Sequence, residues 1–307
     1  MKTIHAANEL DSGGRPACVA IGVFDGVHLG HQRIIQQTIA DARQCDGVAV
    51  VVTFDRHPNS VVAPARVPPL IYALPRKLGT IESLGADALL LIHFDEAFSQ
   101  QSGEVFIRNL ARDLGRIHSL CVGADFTFGR KRQGNVALLD TLGKELAFAV
   151  RGLTAVALDG EPVSSTRIRE AVRTGNFDLA GRMLGRPYTL AGVVIPGDHL
   201  GNQLGFPTAN LDTSGLVLPP GGVYAARATL DSVAYEAVLN IGRRPTLQNP
   251  DPPLRVEAHL LDFNGDLYGK ELEIAFVEKL REERKFDSLG ELRDQIGRDI
   301  EQARVRH

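Results

Sequence analysis

The chain has 307 residues, of which 44% are hydrophobic, and a formal net charge of −3 at pH 7. The length is about twice that of a typical domain, so two domains are expected. The near-neutral charge argues against a nucleic-acid-binding protein, which usually carries a basic surface. No apolar stretch is long enough to span a membrane, and the N-terminal segment lacks the apolar core of a signal peptide, so neither a membrane span nor a secretory leader is expected.

The three cysteines, Cys18, Cys45 and Cys121, show neither CxxC nor Cys/His metal spacing. Cys18 and Cys121 lie in apolar, strand-like runs and are expected to be buried thiols. Free thiols are typical of a reducing compartment. A cytoplasmic location is therefore expected, and zinc and disulfide sites are not.

The first half of the sequence alternates strand-like and helix-like segments. Strands that are apolar throughout, separated by amphipathic helices, predict a parallel sheet covered on both faces. Its ligand site is expected at the carboxyl ends of the strands. The predicted strands are residues 19–24, 48–54, 88–94, 119–122 and 148–156, and the predicted helices are residues 75–84, 102–114, 135–146 and 178–184.

The pattern changes after Arg186. Short strands separated by Gly/Pro/Asn turns predict an antiparallel barrel, with a tight hairpin turn at Asp231–Ser232. A final helix is predicted from Ser288, which forms a capping box with Glu291. Its expected apolar stripe is Leu289, Leu292, Ile296 and Ile300. The predicted barrel strands are residues 188–195, 223–230, 233–241, 254–263 and 272–280, and the predicted domains are residues 1–185 and 186–307.

A glycine-bearing loop follows the first predicted strand and leads into a helix that is expected to begin near His31. Such a turn directs backbone N–H groups and the positive end of the helix dipole at one point, which suits a phosphate chain. The loop lacks the lysine–serine/threonine pair of a P-loop. The HxGH pattern of His28 and His31 instead indicates nucleotidyl transfer, in which imidazole N–H groups stabilise charge on a nucleotide α-phosphate. Two ordinary surface histidines beside a glycine turn are the alternative.

Three further segments belong to the same predicted edge of the sheet. TFDRHP (53–58) and VGADFTFG (122–129) each end a strand. SSTRIR (164–169) precedes a helix, where its hydroxyls either cap the helix or bind a triphosphate together with Arg169. The basic cluster at residues 130–132 is more typical of a solvated surface.

These motifs resemble the FMN adenylyltransferase module of bacterial bifunctional riboflavin kinase/FAD synthetases. The resemblance implies a Rossmann-like α/β nucleotidyltransferase domain in which the FMN phosphate attacks the α-phosphate of ATP in line. Positioning and electrostatic stabilisation would then supply most of the rate enhancement. The resemblance assigns catalysis to His28 and His31, nucleotide binding to Gly22, Phe24, Asp25, Gly26, Ser164, Ser165, Thr166 and Arg169, and flavin binding to His57, Pro58, Asp125, Phe126 and Phe128.

The second half resembles the riboflavin kinase of the same family. Residues 201–210 (GNQLGFPTAN) match its signature, with Gly201 and Gly205 in the nucleotide-binding role. Thr208 and Asn210 are at i and i+2 of an extended segment, so their oxygens can point the same way. Neutral oxygens and nucleotide phosphates suit Mg²⁺, a hard cation. A self-capping Pro-Thr-x-Asn turn is the alternative.

Residues 255–260 (RVEAHL) alternate strictly, which places Glu257 and His259 on one strand face and apolar residues on the other. A solvated outer face is the ordinary interpretation of that pattern. The resemblance instead makes Glu257 the base that takes the proton from the ribityl hydroxyl of riboflavin. It also implies that residues 240–246 form a mobile loop over the site, and that residues 281–288 pack against the flavin. The implied flavin-binding residues are Asn240, Arg281 and Phe286.

The resemblance covers nearly the whole chain. It departs from the family at Arg56, where proline is common, and at Asn202, where arginine is common; the loss of that arginine removes a cation that could reach phosphate. A cytidylyltransferase with an unrelated barrel is one rival interpretation, and a flavin- or nucleotide-sensing module without turnover is another.

The sequence therefore predicts an enzyme with an α/β nucleotidyltransferase domain, followed by an antiparallel β-barrel riboflavin kinase domain with a C-terminal helix. It would convert riboflavin to FMN and FMN to FAD, using ATP and Mg²⁺. The expected partners are these small molecules, and neither nucleic acid nor a membrane. The sequence leaves open whether the protein has a protein partner and which oligomeric state it adopts.

Overall fold

The computed structural model describes residues 1–197, 201, 204–243 and 254–306. Contacts divide the chain into two compact units. We call residues 1–70 and 74–165 the sheet unit, and residues 71–73 and 166–307 the barrel unit.

The sheet unit contains a six-stranded sheet whose strands all run parallel. The strand order is β1-β4-β3-β2-β5-β6. Since β2 lies between β3 and β5, the chain leaves β2 in one direction and later returns on its other side. This is a topological switch point, and ligands of open parallel sheets bind beside such points. The strands are β1 (Lys2–Ile4), β2 (Ala17–Ile21), β3 (Val48–Phe54), β4 (Ala88–Ile92), β5 (Ile117–Gly123) and β6 (Ala149–Leu153).

Both faces of this sheet are covered, as the apolar strands predict. In β2, Val19 faces a core formed with α5 and α6, while Ala20 faces a second core formed with α1 and α3. Alternate residues thus enter different cores, which explains why the strand is apolar at every position. The helices are α1 (Leu29–Gln44), α2 (Asn59–Val62), α3 (Leu74–Ser83), α4 (Glu96–Ser99), α5 (Gly103–Leu114) and α6 (Val136–Leu146).

The barrel unit contains a closed antiparallel barrel in the order β10-β13-β12-β11-β14-β9. The Asp231–Ser232 turn has φ values of 48° and 69°, as a two-residue hairpin of the primed type requires, which confirms the predicted connection. A two-stranded hairpin, β7 (Ala157–Leu158) and β8 (Glu161–Pro162), and two helices, α7 (Ser165–Arg173) and α8 (Phe177–Leu184), precede the barrel. Its strands are β9 (Thr189–Ile195), β10 (Ala209–Asp212), β11 (Gly222–Leu230), β12 (Val233–Gly242), β13 (Arg255–Leu260) and β14 (Glu271–Arg281).

The helix α8 groups with the barrel by its contacts. Phe177 stacks on Phe276 of β14 with ring centroids 4.4 Å apart, and its ring is parallel to that of Tyr188. Residues 166–185 therefore fall in the barrel unit, although the sequence places the domain boundary after residue 185. That boundary stays a prediction.

The final helix, α9 (Leu289–Arg306), begins after Ser288, whose Oγ accepts a hydrogen bond from the Glu291 N–H at 3.2 Å. The predicted apolar stripe is wrong at its first position, because Leu289 is 62% exposed. The helix packs on the barrel through its C-terminal half, where Ala303 is fully buried beside Ile300.

Candidate active sites

The HxGH loop lies at the switch point of the sheet. It leaves β2 after Ile21 and enters α1 at Leu29, with His28 at the N-cap. Phe24 and Val27 have φ values of 51° and 42°, a left-handed conformation that is costly for side chains of this size. A loop held in such a conformation is typical of a ligand-binding turn.

The two histidines form one compact group at the start of α1. Their rings stack with centroids 3.6 Å apart, and Phe24 lies edge-on to His31 at 5.3 Å. Burial lowers the pKa of His31 well below its ordinary value, and the charges of His28 and Lys77 lower it further. His31 is thus a neutral imidazole at physiological pH, with one ring N–H to donate.

Two glycines make room for this arrangement. A Cβ on Gly22 would come within 2.7 Å of the Phe24 ring, and a Cβ on Gly30 within 3.2 Å of the His28 ring. The glycine between the two histidines therefore leaves room for the first imidazole, which folds back over it.

Ser165 joins the HxGH loop to the SSTRIR segment. Its hydroxyl donates to the backbone carbonyl of Asp25 at 3.1 Å. The following residues form the first turn of α7, where Arg169 is buried. The structure thus brings Ser165 to the loop, and Ser164 and Thr166 are its neighbours in the chain.

A cavity of about 870 Å³ opens at the same edge of the sheet unit. It is lined by Val23 from the HxGH loop and by Phe54 from the end of β3. Its volume suits a drug-sized ligand. The predicted flavin-binding residues His57, Pro58, Phe126 and Phe128 line it, together with Phe94, Phe98 and Phe106 and the basic turn Arg130, Lys131 and Arg132.

The phenylalanine rings that line the cavity form a continuous series of ring–ring contacts. Phe54 meets Phe94 edge-on at 5.4 Å, and Phe126 stacks on Phe128 at 5.3 Å. A cavity walled by aromatic rings favours a flat, polarisable ligand. Asp125 immediately precedes this stack, but it is not among the lining residues.

Asp55 holds Phe94, one of the residues that line the cavity. Its carboxylate accepts hydrogen bonds from the Phe94 backbone N–H at 3.0 Å and from the His93 ring at 2.6 Å. Burial raises the pKa of Asp55, but these bonds outweigh burial and hold the pKa below its ordinary value. The carboxylate thus stays ionised and holds Phe94 in the aromatic wall.

The second site is a row of three polar residues across neighbouring strands of the barrel. Asn210 of β10 pairs with Glu257 of β13, and Glu257 pairs on its other side with Asn240 of β12. Directly opposed residues project from the same face of a sheet with Cβ atoms about 5 Å apart. All three are half-buried. Val256 and Ala258, on either side of Glu257 in β13, face the barrel core instead. The structure therefore brings together three residues that the sequence assigns to separate roles.

Two domain-family models match the chain: FAD synthetase over residues 11–167 and riboflavin kinase over residues 184–306. The bifunctional riboflavin kinase/FMN adenylyltransferase of Haemophilus influenzae is 36% identical over 99% of this chain and 98% of its own length. That of Pseudomonas fluorescens is 38% identical, over 99% and 97% respectively. The chain belongs to the bifunctional riboflavin kinase/FMN adenylyltransferase family.

A solved structure shares the whole fold with this family member. It comes from Streptococcus pneumoniae, is described as a macrolide-efflux protein, and is 28% identical with a TM-score of 0.81 over 99% of both chains. Among the described residues, no helix of the present chain is long and apolar enough to cross a membrane.

Two glycines frame the kinase signature in this family member. The backbone of Gly197 lies directly against the Asn210 amide, and a Cβ on Gly201 would meet the Thr208 hydroxyl oxygen at 2.9 Å. A larger residue at position 197 would collide with the Asn210 amide, and one at position 201 would collide with the Phe206 carbonyl and the Thr208 hydroxyl. The signature segment is also held from the barrel, because the His259 ring donates from Nδ1 to the Pro207 carbonyl at 2.7 Å. Gly205 has a φ of 87°, in the turn before this segment.

Arg281 of β14 continues this row across β11, because Asn240 and Arg281 both pair with Val223 from opposite sides. Arg281 makes a bidentate ion pair with the buried Asp299 of α9, with an Nη2–Oδ2 distance of 2.8 Å. Its guanidinium also lies 5.7 Å from the centre of the Phe286 ring. The closest described partners of Arg281 are thus structural. Asn202 and residues 244–246 of the loop that is expected to be mobile lie outside the described residues.

The residues that sequence reasoning missed are mostly aromatic. Phe94 and Phe98 line the flavin-sized cavity, but they follow β4 in a segment without any recognised motif. The basic turn at 130–132 is exposed, as its interpretation from sequence as a solvated surface expects, and it also lines the cavity. The signal that could have found the turn is its position directly after the VGADFTFG motif.

Proposed function

We infer that this chain carries two ATP-dependent activities: phosphorylation of riboflavin to FMN, and adenylylation of FMN to FAD with release of pyrophosphate. The family membership assigns the first to the barrel unit and the second to the sheet unit. The observation that carries this function is that each unit holds its own group of polar side chains, one at the N-terminus of α1 and one across three strands of the barrel. These groups are the stacked His28–His31 pair and the Asn210–Glu257–Asn240 row.

In the adenylyl step we propose that His28 and His31 donate hydrogen bonds to the phosphates of ATP. Their place at the N-terminus of α1 supports this role, since the helix dipole favours an anion there. The lowered pKa of His31 supports a neutral donor rather than an imidazolium. The backbone of the loop at Gly22, Phe24, Asp25 and Gly26, with Ser164 and Ser165, would surround the rest of the nucleotide.

We propose that the cavity of the sheet unit holds the isoalloxazine ring of FMN. The aromatic walls at Phe54, Phe126 and Phe128 would stack against its faces. His57 and Pro58 would border it, and the exposed Asp125, which immediately precedes Phe126, would also bind the flavin. The basic turn at residues 130–132 supplies positive charge for the phosphates at the same opening.

In the kinase step we propose that Glu257 removes the proton of the ribityl hydroxyl. Its place between Asn210 and Asn240 supports the assignment, because Glu257 then lies beside one proposed metal ligand and one proposed flavin-binding residue. General-base assistance of this kind is worth about 10²–10⁴-fold. Gly201 and Gly205 would border the nucleotide, and Arg281 and Phe286 would border the flavin.

Thr208 and Asn210 fit a magnesium ion. They are neutral oxygen donors two residues apart at the start of β10, and no side chain at Gly197 or Gly201 displaces the Asn210 amide or the Thr208 hydroxyl. Bound there with the phosphates of ATP, Mg²⁺ would neutralise charge on the transferred phosphoryl group. We also propose a cytoplasmic location, which the free thiols of Cys18, Cys45 and Cys121 support.

Incubation of the purified chain with riboflavin, ATP and Mg²⁺ tests this function. Separation of the flavins by chromatography should show FMN first and FAD later, with one pyrophosphate per FAD. ATP is also replaced by CTP, and nucleotidyl transfer from CTP in preference to ATP would favour the rival cytidylyltransferase. Binding of flavin without either product would show a sensing module instead.

A further inference from the structure

Lys77 is a buried lysine at the edge of the sheet unit that carries the proposed adenylyl site. It lies on α3 and is only 7% exposed. Its ammonium donates to the Phe54 carbonyl at 2.8 Å, to the Thr53 hydroxyl at 3.3 Å and to the Val23 carbonyl at 3.4 Å. The Thr53 hydroxyl in turn donates to the same Val23 carbonyl at 3.1 Å. One ammonium group therefore joins the ends of two neighbouring strands.

These two strand ends serve different parts of the site. Val23 is in the loop that leads from β2 to His28 and His31, whereas Phe54 ends β3 and contributes its ring to the aromatic wall. Both residues line the cavity of the sheet unit. A displacement of one strand end relative to the other would change the distance between the histidines and whatever ligand occupies the cavity.

The charge of Lys77 also acts on His31. Burial lowers the pKa of Lys77 to about 8, although the carboxylates of Asp25 and Asp55 oppose the shift. At neutral pH the ammonium is therefore mostly protonated. Its charge adds to burial and to His28 in lowering the pKa of His31.

We propose that Lys77 is a positioning residue for adenylyl transfer, holding the HxGH loop and the end of β3 at the separation that aligns the FMN phosphate with the α-phosphate of ATP. This proposal rests on the proposed function of the sheet unit. Lys77 makes its described hydrogen bonds to the protein itself, so it acts through the groups that it holds. Misplacement of reacting groups by about 1 Å can cost on the order of 100-fold in rate.

The test compares Lys77→Met with Lys144→Met. The first removes the ammonium while keeping a similar length of side chain, and the second removes an exposed lysine from α6 of the same unit. Lys77→Met should lower kcat for FAD formation from FMN by about tenfold or more. The KM for ATP should change much less, and FMN formation from riboflavin should be unchanged. Lys144→Met should behave as the unsubstituted chain. FAD formation within threefold of that chain in Lys77→Met would overturn the proposal.

Thr53→Val is the second variant, in case Lys77→Met does not fold. It is close to isosteric and removes only the hydroxyl between Lys77 and the Val23 carbonyl. A smaller loss of kcat is expected in the same direction, and the double variant should be no slower than Lys77→Met, because both changes break one linkage. If Lys77→Met loses both activities and Thr53→Val makes FAD at the normal rate, the proposal is wrong.

A measurement without turnover separates this proposal from the proposed function. The pKa of His31 can be followed by NMR, with the resonance assigned by its absence in His31→Ala. It should rise in Lys77→Met and stay unchanged in Lys144→Met. An unchanged His31 pKa in Lys77→Met would show that Lys77 does not act on the HxGH loop and would overturn the proposal, whether or not the chain makes FAD.

Discussion

Asn210 and Glu257 stand directly opposite each other on β10 and β13 of the barrel. Neither the signature that contains Asn210 nor the alternating strand that contains Glu257 reveals this pairing. It follows from the register of two strands separated by more than 40 residues of chain. The pairing of β10 with β13 thus fixes the positions of both the proposed metal ligand, Asn210, and the proposed base, Glu257.

Glu257→Gln should abolish most of the kinase activity. The amide keeps the size of the side chain but cannot take a proton, so phosphorylation of riboflavin should fall by about 10²–10⁴-fold. Adenylylation of FMN should be unchanged and reports on folding of the chain. Glu271→Gln, an exposed strand position of the same barrel, is the matched control. Kinase turnover within a few-fold of normal would exclude Glu257 as the base, and a parallel loss of both activities would indicate a structural role.

His31→Ala should have the opposite pattern. Loss of an oxyanion-type donor costs about 10²–10³-fold in kcat, so FAD formation from FMN should fall by that amount while FMN formation continues. His5→Ala, at an exposed histidine of the same unit, serves as the control. Stopped assays that separate FMN from FAD measure both steps in one reaction. Near-normal FAD formation by His31→Ala would show that the HxGH assignment is mistaken.

The barrel should fold and phosphorylate riboflavin by itself. Residues 186–307 contain all its strands and the final helix, and they are expected to suffice. A fragment beginning at residue 166 should melt at a higher temperature, because it retains the Phe177 ring against Phe276. Thermal unfolding and kinase assays of both fragments measure this difference. If only the longer fragment folds, the boundary belongs near residue 166.

Arg281→Met should destabilise the barrel more than it affects flavin binding. The substitution leaves the buried Asp299 carboxylate without its guanidinium, at a cost of about 3 kcal/mol in the free energy of unfolding. Arg304→Met breaks an exposed pair with Asp262 and should cause no measurable change. A raised KM for riboflavin with normal stability would favour instead the flavin contact that the family resemblance implies.

The sequence predicted most of the fold because its strands carry clear local signals. The β-branched run of β3 predicted Val48–Phe54 at both ends. β1 was missed, since a three-residue edge strand leaves no periodicity to read. The stripe of α9 was wrong at Leu289 because helical spacing shows which residues share a face and not where along the helix the contact begins.

The sites were predicted where a sequence motif marks them, either within one loop, as at His28 and His31, or at separate strand ends, as at His57 and Phe126. His28 and His31 lie within one motif, so their proximity followed from helix geometry. The cavity wall combines Phe54, Phe98 and Phe126 from separate segments, and only the order of the strands brings these together. Lys77 looks like an ordinary surface lysine in its helix, because burial by neighbouring strand ends leaves no trace in local sequence.

The alternation of polar and apolar residues in β13 determines what happens when this strand pairs in the wrong register. A slip of the strand by one residue would turn Glu257 into the barrel interior and expose Val256 and Ala258 in its place. A mispaired barrel would then bury a carboxylate in its core, which is costly enough to make the state rare. The register of β13 thus determines both whether the barrel stays soluble and whether Glu257 can act as a base. Barrels that remain soluble in the cell should therefore nearly all be active kinases. Activity per soluble molecule should therefore hold steady across destabilised variants while their yield falls.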